Sequence, residues 1–155
     1  MNKGIAAIGS VNIFVSMVLP WYFFSSPIAS LNISLMDLAK LIDGIGYGSI
    51  NMKLPSQYTA CIYLVGSAGV IGMISAAMGK GWLAIVGGFM NIVGVILFVA
   101  GLMSLPQGGN ALGGSMNLLG TSFSWGLGMG FFLSFIGGLI LLAGGSSSST
   151  KSTSS

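Results

Sequence analysis

Side chains able to do acid–base or nucleophilic chemistry are few in this sequence. Its 155 residues include no His, no Glu and no Arg, and the charged set is five Lys and two Asp. Asp37 and Asp43 are six positions apart with Lys40 midway. Acid–base catalysis needs a positioned group with a tuned pKa. This trio reads instead as one solvated helix face on which opposite charges help slightly. Two carboxylates do not fill a coordination shell, so neither a metal site nor a cofactor is expected. Cys61 is the single cysteine. It excludes an intramolecular disulfide and reads as a small apolar helix residue, with lipidation or an intermolecular disulfide as its functional alternatives. Gly126 and Gly128 have a G-x-G spacing, but with no expected strand before them and no Lys after them they do not make a phosphate loop. Asn32-Ile33-Ser34 is a glycosylation sequon. No catalytic residue emerges, and an enzyme is the least expected reading.

The elements that carry these residues are apolar. Hydrophobic residues are 54% of the chain and charged residues 5%, against about a quarter charged in soluble domains. Seven charges cannot cover a water-facing surface, so most of the surface is expected to face lipid or protein. A net charge of +3, thinly spread, argues against nucleic acid as a partner. Four long uncharged stretches run over about 4–24, 58–78, 82–103 and 123–143. About 21 residues at 1.5 Å each cross a hydrocarbon core of roughly 30 Å. The first is long and has three successors, so it is expected to be a retained span rather than a signal peptide. None of the four alternates polar with apolar as barrel strands do. The expected fold is therefore all-α: an integral membrane bundle of four antiparallel helices over 1–145, with a flexible Ser/Thr-rich tail over 146–155. Pro20 should kink or end the first helix. Trp21, Tyr58, Tyr63, Trp82 and Trp125 fall near span ends, where headgroup-level aromatic rings belong.

The first loop, Ser25 to Gln57, holds four of the seven charges. Within it Leu31 to Ile42 reads as a short amphipathic helix, or as a strand followed by a helix, because Leu31, Ile33 and Leu35 alternate. Gly79-Lys80-Gly81 is a tight turn. If all four stretches cross, Lys3, Lys80 and Lys151 share one side. The first loop's two Lys are balanced by two Asp. Both termini and Lys80 are therefore expected in the cytoplasm, with the long loops outside.

Small residues recur at helical spacing. Gly126, Gly130, Ser134 and Gly138 repeat every four residues in the fourth stretch, and Ala68, Gly72 and Ala76 do so in the second. Helix association in lipid relies on close backbone approach and interhelical hydrogen bonds. These ridges are expected to pack within the bundle or, turned outward, to join copies laterally. Asn12 and Asn91 are the amides deepest in the spans and should bond to another helix, since an unpaired amide in hydrocarbon is costly.

Four spans, a long first external loop and a tight cytoplasmic turn resemble the layout of claudin-type and related tetraspan proteins. Leu19-Pro20-Trp21 and Leu35-Met36-Asp37-Leu38 also resemble small prokaryotic and archaeal four-span proteins of unassigned function. The Trp-Gly-Leu-Trp-type motif and paired loop cysteines of claudins are missing, so no functional residue carries over. The resemblance implies lateral assembly and contact. Three functions stay open: a structural protein packing with itself in a cell envelope or virus-particle membrane, an accessory subunit of a larger membrane complex, and a small channel or transporter. Membrane lipid and either further copies or other membrane subunits are the expected partners.

Overall fold

The structure, a computed structural model, describes residues 1–42, 56–104, 110, 112–118 and 120–147. The all-α expectation is overturned: among the described residues five helices accompany a four-stranded antiparallel sheet. Strands take up the end of the first expected helical run and the start of the fourth. Helix α1 covers Lys3–Val18, and its first free N–H groups, of Gly4 and Ile5, donate to the Asn2 side chain. It stops because Pro20 drives the residue before it into extended backbone, and Leu19 lies at φ −81°, ψ 154°. Strand β1 (Pro20–Ser25) follows at once. A turn closed by Ser26 N–H donating to the Ala29 carbonyl leads to β2 (Ser30–Ser34) and then directly to α2 (Leu35–Ile42). The strand-then-helix alternative for this stretch is thus the one found.

Helices α3 (Ser56–Met78) and α4 (Gly81–Met103) form a hairpin whose turn needs Gly79 at φ +71°, a conformation glycine adopts without steric cost. Strands β3 (Gly113–Leu118) and β4 (Thr121–Leu127) form a second hairpin, with Gly120 at φ +80° in its short loop. Helix α5 (Met129–Ser146) comes next. The fourth apolar stretch is therefore part strand, and its helix begins at Met129. Ser122-Phe123-Ser124-Trp125 alternates polar with aromatic, the period of a strand. Mean hydropathy over a span-length window averages that alternation away.

Helices α3, α4 and α5 are long and apolar enough to cross a membrane, while α1 is apolar but shorter, at 16 residues. At 1.5 Å per residue α1 reaches about 24 Å and α3 and α4 about 35 Å each. The contacts at glycines give the packing directions. Along α1, Ser10, Phe14 and Met17 meet Gly72, Gly69 and Gly66 of α3 in descending order. Ala6, Gly9 and Ser16 of α1 likewise meet Gly144, Gly137 and Gly130 of α5. Gly81 and Gly88 of α4 meet Gly145 and Gly138 of α5. Each neighbouring pair is therefore antiparallel. One end of the helices gathers the N-terminus, the Gly79 turn and the end of α5, where Asn2 N–H donates to the Gly144 carbonyl. The sheet sits at the other end, in the order β2-β1-β4-β3.

An aromatic cluster joins sheet to helices. Trp21 of β1 is fully buried, its indole N–H donates to the Ser16 carbonyl at 2.7 Å, and its ring meets Phe98 of α4 and Phe131 of α5 edge-on. Tyr58 of α3 closes on Phe98 from the other side. Edge-to-face pairs of this kind add to the burial of area. Trp21 and Tyr58 are thus core residues and not headgroup-level rings, whereas Tyr63 and Trp82 are exposed. Trp125 lies in β4 and donates to the Asn110 carbonyl.

Candidate functional site

The ridges named from the sequence face the chain's own interior. Ala68 backs onto Gly87, where an added Cβ would stand 3.1 Å from the Ala68 carbonyl oxygen. A Cβ on Gly72 would collide with the Ser10 hydroxyl and the Leu141 side chain. Ala76 is half-buried against the core. On α5, Gly130 abuts the Ser16 and Leu19 carbonyls, and Gly138 abuts the Asn91 amide. Gly126 is not on that helix: it lies in β4 against the Phe23 ring. The expected four-residue ridge is therefore a three-residue one, turned toward α1 and α4. A further close backbone approach lies at Gly9, outside the ridges named from the sequence. A Cβ on Gly9 would stand 2.8 Å from the Leu141 nitrogen and 2.9 Å from the Gly137 oxygen. Its signal was the i, i+4 partner Ile13, which is fully buried and set beside Ala6 and Ser10 on one face.

The two span amides differ. Asn91 of α4 is fully buried, donating Nδ2–H to the Ser134 carbonyl at 2.7 Å and accepting from the Ser134 hydroxyl at 3.0 Å. The two residues close on each other and join α4 to α5. Asn12 of α1 is half-buried beside Gly137, and among the described residues its amide makes no side-chain hydrogen bond. Every fully buried side-chain N or O atom among the described residues has a partner. The serines Ser10 and Ser16 donate back to carbonyls of their own helix, and Ser75 to the carbonyl of Lys80.

In the first loop Ser34 and Asp37 cap α2 reciprocally. The Ser34 N–H and hydroxyl both donate to one Asp37 oxygen, at 3.1 and 2.7 Å, and Asp37 N–H donates back to the Ser34 hydroxyl. This is a capping box with Asp in the acidic place. Those two bonds from Ser34, with the Lys40 charge adding less, hold the Asp37 carboxyl below its ordinary value against a small desolvation effect. Lys40 stands 3.9 Å away on the exposed side. Asp43, Lys53, Lys151 and the tail over 148–155 lie outside the described residues. Asn32 is exposed on β2, but the sequon hydroxyl of Ser34 is buried and engaged with Asp37. Cys61 is buried in α3. Among the described residues no three His, Cys, Asp or Glu side chains converge.

What remains open is the sheet. Its central strands pair Tyr22 with Leu127 and Ser25 with Ser124, while β2 and β3 are outermost. Residues 113–117 of β3 are all exposed, as are Ser30, Leu31 and Asn32 of β2. Neither strand contains a charged residue or a Pro. Ile28, at the tip between β1 and β2, is 91% exposed. The β2 edge was open in the sequence as a strand alternative, whereas β3 escaped notice because Gly-Gly-Ser-Met-Asn-Leu is a weak strand former in a stretch that read as loop. Compared with protein-family models, with curated proteins and with solved structures, the chain finds no match. The claudin-type layout accordingly has neither a family nor a relative behind it.

Proposed function

We propose that this is a non-enzymatic structural membrane protein that packs laterally with itself, in a cell envelope or a virus-particle membrane. The observation that carries the reading is the division of labour between helices and sheet. The helices turn their small and polar residues toward one another, leaving apolar side chains such as Ile8, Val11, Val70, Phe89, Ile96 and Phe132 outward. Such surfaces are as apolar as lipid and gain little by meeting each other. The sheet, by contrast, offers backbone that no strand among the described residues pairs with at either outer side. In this reading α1 is a fourth crossing despite its length, with β1 beginning in the headgroup layer. Lys3 and Lys80 lie at the end opposite the sheet, which favours that end as cytoplasmic and the sheet as outside.

Cross-linking in native-like lipid, followed by mass measurement in a gentle detergent, tests the assembly. A ladder of multiples of the 15.8 kDa chain is the expected result. A chain that stays monomeric in lipid at high density would sink the reading. The same free edges favour a second reading, an accessory subunit that receives a strand from a different chain. Co-purification of a fixed, unlike partner in constant ratio would select it.

A further inference from the structure

We propose that the sheet runs on from molecule to molecule, the β3 edge of one copy pairing with the β2 edge of the next. This rests on the lateral-packing reading and names the surface responsible. Four observations lead to it. First, β2 and β3 end the sheet, and among the described residues no strand pairs with their outer sides. Unpaired edge N–H and C=O groups are a template for another strand. Second, soluble proteins defend such edges with Lys, Pro, bulges or inward charge. Ser30–Ser34 and Gly113–Leu118 carry no charge and no Pro, and the one irregularity in the sheet falls between Pro20 and Tyr22, on an inner strand.

Third, the directions match. Each neighbouring pair in the order β2-β1-β4-β3 is antiparallel, so β2 and β3 run opposite to each other. Shifting a copy sideways, without turning it over, sets β2 beside β3 in antiparallel pairing and continues the alternation. Two copies embedded the same way up in one membrane need no other rearrangement. Fourth, the edges fit in extent: β2 has five residues and β3 has six. Both belong to one sheet at one end of the helices, so every copy presents them at the same height. Leu31, 56% exposed on β2, and Met116, 49% exposed on β3, are apolar side chains that a neighbouring strand would cover. The joint is head-to-tail and therefore builds a row or a ring rather than a closed pair.

The test uses two edge-blocked full-length chains in lipid nanodiscs or vesicles. Leu31→Lys with Asn32→Lys puts a charge on each face of β2, and Met116→Lys with Asn117→Lys does the same on β3. Wild type is expected to give a cross-linked ladder. Each blocked chain alone is expected to lose species above monomer at least tenfold. Mixing the two blocked chains is expected to restore dimers, through the intact β3 of one and the intact β2 of the other, with nothing larger. That rescue also shows that both variants fold. In a chain carrying Leu31→Cys and Met116→Cys, a short thiol cross-linker should join copies, Cys61 being buried. A ladder that survives both lysine pairs overturns the edge joint and leaves lateral packing standing on some other surface. Dimers from the β3-blocked chain alone point to β2–β2 pairing and overturn the head-to-tail arrangement. A mixture that stays monomeric overturns it as well. A monomeric wild type overturns both this joint and the reading beneath it.

Discussion

Asn91 and Ser134 show how a buried amide is made affordable in an apolar setting. The Asn91 Nδ2–H bond goes to a backbone carbonyl, and the Oδ1 bond comes from the Ser134 hydroxyl. Ser134→Ala removes only the second, while Asn91→Ala removes both. A double-mutant cycle, read by reversible unfolding in mixed micelles, should give a coupling of about 0.6 to 1.7 kcal/mol, the range of interhelical side-chain bonds in membranes. A coupling indistinguishable from zero would contradict the hydroxyl bond. Asp37 makes a second test at this scale. Its folded pKa lies below the ordinary 3.8. The stabilisation it gives the α2 cap is therefore complete above that value and is lost as pH falls through the lowered one. The side chain is half exposed, so solvent screens the effect and global stability should barely move. Carboxyl carbon shifts should show a midpoint below 3.8, and Ser34→Ala should bring it back up. Residue types alone revealed Asn91 as an amide in need of a partner, and the spacing placed Asp37 on a helix. The partner of Asn91 was not legible, because it depends on which helices meet, whereas Ser34 is a local capping partner three residues before Asp37.

Between elements the controlling distance is that of backbone against backbone. At Gly9 an added methyl meets the Leu141 nitrogen and the Gly137 oxygen, neither of which can step aside without parting α1 from α5. Gly9→Ala should lower stability by about 1–3 kcal/mol, as overpacking does, seen as a drop in melting temperature in detergent. Gly66→Ala is the control: its methyl would meet only the end of Met17 at 3.6 Å. That variant should melt at or slightly above wild type, because Ala is the better helix former by up to about 1 kcal/mol. Equal effects at the two sites would refute the close approach. The helices α3 and α4 and the turn between them could be read off the chain, since long uncharged runs broken by Gly-Lys-Gly have few other solutions. Strand β1 was hidden because Pro-Trp-Tyr-Phe-Phe is as apolar as the helix before it. Pro20 announced an ending without saying what comes after. In Thr121–Leu127 the alternation was present, but its apolar residues adjoin those of α5.

At the scale of the molecule, the N-terminus, the end of α5 and the Gly79 turn gather at one pole and the sheet at the other. Ile28→Cys at the hairpin tip and Lys80→Cys at the turn should therefore react with a membrane-impermeant thiol reagent from opposite sides, Ile28 from outside intact cells and Lys80 only after permeabilisation. Labelling of both from one side would refute the arrangement. Composition alone pointed to an apolar molecule with helices long enough to cross a membrane. It could not disclose a sheet, because a sheet joins residues far apart in the chain: β1 pairs with β4 some hundred positions on. That pairing has a mechanical side. Strand β1 leaves α1 with only Leu19 between, strand β4 enters α5 with only Gly128 between, and Gly128 N–H is tied to the Trp21 carbonyl. The two middle strands are direct extensions of two helices that pack closely on each other. The sheet thus behaves as a crossbar welded to a pair of rods. A change in the angle between α1 and α5 therefore cannot occur without straining or parting the β1–β4 ladder.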